Sequence, residues 1–367
     1  MKRITLFLLF GLALVTFSCG GGDGDGNETP EFALLSRLPL AGALTDVWGY
    51  VDAVTGKEYA LVGFGLFLSA ADTNGGIHIV DVTDPRNPVR VASVKDVAGF
   101  DVKVWQNYAY TVTGRGDDGN GKIVDLTNPA NPQTVGFFKS AHNLFITPGG
   151  LMVAATQREP QIIYELNSDP RAPRQLWKGG SDGHDAAVIG DRLYLFGADG
   201  PTNIFDISNP SVPQLLGSIS SPLIAFQHSG WPTEDGKFLF ITDELADLRG
   251  KTSDFTVWDI SDLGNPERVG GFSDEATVHN LYIIGDFAYV SYYHAGFRIF
   301  DVSDPRNPTI VEEFDTSLRT GPGFDGAFGV YPFAPSGNIY VSDEQTGLHI
   351  FAFARGNLAN QNNPVAP

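Results

Sequence analysis

Four short stretches place a histidine at their second position: AHNLFI (141–146), GHDAAV (183–188), QHSGWP (227–232) and VHNLYI (278–283). These histidines are His142, His184, His228 and His279, four of the seven in the chain. Three further stretches, TDVWGY, FDVKVW and FDGAFG, align with them and carry Asp46, Asp101 and Asp325 at the same place. Imidazole is the commonest protein ligand for transition metals, and carboxylates extend the range to harder ions. If the seven positions converge, they form a cage for one divalent transition-metal ion of unspecified identity. Its nitrogens must then come within roughly 2.0–2.2 Å of the ion. The alternative is a polar, solvated channel in which Asp caps a turn and His takes over that task. Both stay open here. Asn143, Asp185 and Asn280, each just after a histidine, are candidate orienting partners that would serve equally as turn residues. The chain holds no GxSxG, Walker A, HExxH or CxxC pattern. A binding role is therefore expected, and a metal-dependent enzyme built on the ring is the rival.

Such convergence needs a repeated element, and the chain has one. Units of the type GGIHIVDVTDPRNPVRVASV (from Gly75) recur from Gly121, Gln161, Thr202, Phe255 and Phe297, and a truncated GLHIFAF ends at Phe353. The marker positions Asp81, Asp125, Glu165, Asp206, Asp259, Asp301 and Ala352 stand 40 to 53 residues apart. That period, with several short strands per unit, predicts an all-β seven-bladed β-propeller. The last unit lacks its fourth strand, and LLSRLPLAG (34–42) reads as the strand that completes it and closes the ring. In each unit the innermost strand, a, would line the axis, which puts the His/Asp positions in a ring. The marker Asp and the following Ser/Thr, Asp/Asn and Pro residues read as turn chemistry.

The IVDVTDPRNP-type units resemble LVIVD repeats. The ordered set DVWGYVDAVTGKEYALVG, AHNLFI, GHDAAV, QHSGWPTEDGKFLFITDEL, TVWDISDLGNPERVG, VHNLYI and GAFGVYPFAPSGN is similar to the choice-of-anchor B family of exported bacterial propellers. The likeness spans about residues 34–353. It implies the fold and an anchored, exported protein, and it carries no established activity.

Composition agrees with export. The net charge is −19 with a sequence pI near 4.6, which argues against a nucleic-acid groove. Lys2 and Arg3 precede an apolar run, Ile4–Phe17, too short to span a bilayer, and then Cys19, the only cysteine. Residues 1–18 read as a lipoprotein signal peptide, with acylation of Cys19 after cleavage. Residues 19–31 read as a flexible acidic, Gly-rich tether, 32–355 as the propeller and 356–367 as a disordered tail. The expected setting is the bacterial cell envelope, with the protein held to a membrane by the lipid on Cys19. A monomer is expected, with a protein or polysaccharide partner on the loop face. That face carries the b–c loops GLFLSAADTNGG (65–76), GRGDDGNG (114–121) and DELADLRGKTSD (243–254), with acids Asp117, Asp118, Asp243, Glu244, Asp247 and Asp254. The RGD at 115–117 is attributed to chance, and DDGNG lacks a full calcium-loop pattern.

Overall fold

The computed structural model describes residues 31–65, 75–95, 97–115, 120–180, 183–274 and 276–357. The signal segment, Cys19, almost all of the tether, Asp117, Asp118 and most of the tail lie outside the described residues.

Seven separate four-stranded antiparallel sheets form the predicted propeller. Six blades run a-b-c-d in chain order, and the seventh takes its outermost strand from the other end of the chain. There Phe32–Leu38 pairs with Gly347–Phe353, in a register running from Phe32↔Phe353 to Leu38↔Leu348. Phe32 stacks on Phe351 at 5.6 Å. Closure therefore joins the two ends of the chain and leaves no blade with an unpaired third strand.

Strand c is buried on both faces, as in Gly76–Asp81 and Gly296–Asp301, because each sheet is stacked between two others. Strand d is far more exposed, as in Val89–Lys95 and Gln214–Ile219. A bulge between strands c and d recurs two residues before the marker position in six blades, from Ile79/Val80 to Ile299/Phe300. The marker carboxylates accept backbone N–H groups two residues on: Thr83 N to Asp81 at 3.1 Å, Thr127 N to Asp125 at 2.8 Å, Ser303 N to Asp301 at 2.9 Å. The repeated Asp residues are thus structural, as their turn chemistry predicts.

Near the axis the blades touch through glycine. A Cβ on Gly63 would stand 1.9 Å from the Gly99 carbonyl oxygen of the next blade. Gly63→Ala is expected to destabilise the fold by about 1–3 kcal/mol, the usual range for overpacking. A urea midpoint equal to that of the parent would contradict this packing account.

Candidate functional site: an aromatic and carboxylate cup on the propeller axis

Strand pairing decides which residues are equivalent between blades. Val102, Leu144, Ala186, Gly230, Leu281 and Val330 pair with Thr111, Ala154, Leu195, Ile241, Val290 and Val341 of their own b strands. Val47 pairs with Val62 in the first blade. Two places earlier stand Thr45, Phe100, His142, His184, His228, His279 and Phe328. One place earlier stand Asp46, Asp101, Asn143, Asp185, Ser229, Asn280 and Gly329. The expected seven-member His/Asp ring is therefore two tiers. The four histidines share one, and Asp46 and Asp101 belong to the next. Asp325 lies three residues before Phe328 and belongs to neither. The sequence alignment matched polar residue types. Inner-strand irregularities at Leu44/Val47, Gln227/Gly230 and Ala327/Gly329 hide the true frame.

The histidine tier closes into a ring of six side-chain rings. Successive centroid separations are 4.9 Å for Phe100–His142, 4.0 Å for His142–His184 and 4.3 Å for His184–His228. They continue at 4.5 Å for His228–His279, 4.3 Å for His279–Phe328 and 5.7 Å for Phe328–Phe100. Thr45 takes the seventh place and turns its hydroxyl to the Gly99 carbonyl. Burial lowers the pKa of all four imidazoles, that of His279 to about 3. Neighbouring imidazoles reinforce the effect at His184, His228 and His279, so the arc is neutral at ordinary pH.

Hydrogen bonds fix the tautomer of two members. The Nδ1–H of His142 donates to the Gly114 carbonyl at 2.7 Å, and that of His279 to the Phe328 carbonyl at 2.6 Å. A carbonyl only accepts, so Nε2 in each neutral ring keeps its lone pair. His184 and His228 are buried with Nδ1 lacking any hydrogen-bond partner.

Above the arc sits a third set, the first residue after strand b: Glu244, Tyr293 and Glu344 in blades five, six and seven. Tyr293 OH donates to Glu244 at 2.6 Å. Glu244 Oε2 lies 3.6 Å from His228 Nε2, and Oε1 lies 3.9 Å from His279 Nε2. Burial pushes the Glu244 carboxyl up to about 7 and that of Glu344 to about 8. Glu344 Oε1 is buried without a partner. His184, His228 and Glu244 each offer a ligand atom, all within 4.8 Å of one another. Sequence reading left Glu244 among surface acids and missed Tyr293 and Glu344. The available signal was the recurrence of TDE, SYY and SDE at one repeat position (242–244, 291–293, 342–344).

Beneath the arc the axis is closed. Lys103, fully buried, bonds Asp46 at 2.6 Å and also Asp101, whose other oxygen accepts Leu144 N–H at 2.6 Å. The ammonium stands 4.6 Å over the Trp48 ring. Burial raises the Asp46 carboxyl despite Lys103. Asp101 is also buried, yet Lys103 and its hydrogen bonds hold it low. Lys103 thus favours ionisation of Asp101, whereas burial and the neighbouring Asp101 oppose it at Asp46. Trp48, Phe145, Trp231, Tyr282 and Phe333 then fill the axis, with Trp231–Tyr282 at 5.1 Å and Tyr282–Phe333 at 5.3 Å. The result is a cup of about 250 Å³ above this packing, lined at its upper end by Glu244, Tyr293, Phe324 and Glu344.

The other predicted positions lie elsewhere. Asp325 bonds His294, Gln345 and Arg319, the last at 2.9 Å. His78 bonds Ser93 and the Ala41 carbonyl, both at 2.8 Å. His349 sits within strand c of the seventh blade. Asp243, which ends a b strand, and Asp254, just before a c strand, are buried and accept backbone N–H groups.

No curated protein matches the chain. Among solved structures, it is similar to a putative 6-phosphogluconolactonase from Bacteroides uniformis. The TM-score is 0.61 at 12% identity, covering 73% of this chain and 85% of that one. It is also similar to a functionally unknown protein from Desulfotomaculum acetoxidans, with a TM-score of 0.56 at 15% identity, covering 75% and 86%. At these identities the likeness speaks to the fold alone. The LVIVD repeat matches residues 64–96, 99–139, 181–221 and 277–316. These stretches fall in blades one, two, four and six, so the chain carries LVIVD repeats on a seven-bladed β-propeller.

Proposed function

We propose that the protein is an exported, non-enzymatic binding module whose axial cup holds one divalent transition-metal ion. His184, His228 and Glu244 are the ligands, flanked by His142 and His279. The observation that carries this reading is the buried His184–His228–Glu244 group, with ligand atoms within 4.8 Å of one another, in the wall of an open cup. Ligands about 2.1 Å from a tetrahedral ion stand roughly 3.4 Å apart, close to the 3.6 Å between His228 Nε2 and Glu244 Oε2. Two imidazoles and one carboxylate suit Zn²⁺ or Fe²⁺. The lipid on Cys19 and membership of the choice-of-anchor B type belong to this reading, and Cys19→Ser should release the protein from membranes. Metal-dependent catalysis is the second reading. It is favoured by the ligand count, because a metal held by three protein ligands would keep a position for water or substrate.

Co²⁺ titration of the full chain tests the metal reading. Tetrahedral d–d absorption saturating at one ion per chain is expected, and a flat spectrum would contradict it. Protonation gives an independent check. Without metal, folded Glu244 keeps its proton to about pH 7, whereas its ordinary value is 4.5. Between these values the folded state is the more protonated, so the contribution of Glu244 to stability falls as pH rises. Metal-free Glu244→Gln should therefore match the parent at pH 5 and exceed it in urea midpoint at pH 8. Equal midpoints at pH 8 would place Glu244 in water instead.

A further inference from the structure

We infer that the cup receives a single planar aromatic ring bearing ring oxygens, a phenol or catechol, with oxygen on the bound metal. This rests on the metal reading above and names the ligand class of the same site.

The cup has two unlike walls. One carries the proposed ligands His184, His228 and Glu244. The other is aromatic, made by Phe100, Phe328 and the ring of Tyr293, which form a small cluster of their own apart from the main core, with the Tyr293 hydroxyl reaching Glu244. Phe324 extends this wall to the mouth. It remains 39% exposed and meets Tyr293 edge-on at 5.5 Å. Tyr293 and Phe328 are 3% and 5% exposed. A large apolar ring left open beside a buried aromatic wall offers a surface for another flat ring.

Size narrows the class. A cavity of about 150 Å³ holds a benzene-sized ring, and the cup is about 250 Å³ and closed below by the Trp48–Tyr282–Trp231 packing. One substituted ring fits, and a threaded polymer does not. The polar groups narrow it further. Beyond the metal ligands, the cup presents the Glu344 carboxyl beside the aromatic wall, its buried Oε1 without a partner, and Asp46, Asp101, Asn143, Asp185 and Asn280 below the arc. A hydrocarbon ring would leave Glu344 and the ion unserved. A small carboxylate such as acetate would leave the phenylalanine wall uncovered. A sugar would bring more hydroxyls than that wall can hydrogen-bond. An aromatic hydroxyl meets both walls at once.

The test uses 4-nitrocatechol titrated into Zn²⁺-loaded full-length protein, with metal content measured before titration and in the filtrate after it. The expected result is a shift of the catechol absorption that saturates at one per bound ion. Phe324→Ala should weaken binding about tenfold with metal content unchanged, and acetate should not compete. If the chain takes up no metal, the reading of the site fails and this inference with it. If metal is bound but the spectrum does not respond, the ion is stripped into the filtrate, or Phe324→Ala binds like the parent, the aromatic-ligand inference alone is overturned.

Discussion

Full-length protein with both His184→Ala and His228→Ala should bind Zn²⁺ or Co²⁺ more than about a hundredfold more weakly than the parent while keeping its fold. Replacing a residue that only supports a ligand typically costs 10–100-fold in metal affinity, and here two ligands are removed directly. The fold should survive because two opposing effects accompany the change. The variant loses ring contacts at 4.0, 4.3 and 4.5 Å within the arc. It also removes two buried nitrogens that lack partners, each of which costs on the order of 1–3 kcal/mol. Circular dichroism would confirm the fold, and calorimetric titration would read the affinity. Asp325→Asn is the matched control. Its side chain serves His294, Arg319 and Gln345 outside the tiers, so its affinity should equal that of the parent. Equal losses in both variants would restore the symmetric seven-residue ring and contradict the two-tier site.

Lys103→Ala should be the most destabilising single substitution near the axis, at about 3–5 kcal/mol, the usual cost of breaking a buried ion pair. Lys103 is 2% exposed and lies among the inner strands of three blades. Its partners are Asp46 of the first and Asp101 of the second, and Asp101 also accepts Leu144 N–H of the third. Without the ammonium, Asp101 faces a second carboxyl in a dry site and loses its Trp48-capped counter-ion. Repulsion and desolvation would then push its pKa upward, which is paid at neutral pH as lost stability. The companion variant Lys103→Met with Asp46→Asn and Asp101→Asn removes every charge from the triad. It should recover most of the loss, since uncharged replacements of buried ion groups are often tolerated. A urea midpoint for Lys103→Ala within error of the parent would mean that water reaches the triad.

The parts of the structure legible in the sequence are those fixed by local chemistry and repetition. The marker Asp with its Ser/Thr and proline corner recurs through the chain, and in the structure the side chain accepts the N–H groups of its own turn. Ring closure was legible because GLHIFAF lacks a following strand while LLSRL stands unassigned at the other end, and the two pair. The histidine arc was legible as a shared slot. Its frame was not, because an inner-strand position depends on which b-strand residue it faces, and local irregularities add a residue in some blades. Phe100 and Phe328 were therefore overlooked beside the acids at 101 and 325, although they complete the ring of side chains. Glu244 was visible, but only tertiary placement separates an acid turned to the axis from one turned to water. Nothing local in DVKVW marks Lys103 as buried; its burial depends on Asp101 of its own strand and on Asp46, contributed by the neighbouring blade.

The central claim is that the arc of neutral imidazoles with Glu244 is a metal site. Elemental analysis of the full chain, purified without added metal and then equilibrated with Zn²⁺ and desalted, tests it most directly. The account predicts close to one ion per chain, lost in the His184→Ala, His228→Ala variant and kept in Asp325→Asn. Less than about a tenth of an ion in the parent, or the same content in all three proteins, would contradict it.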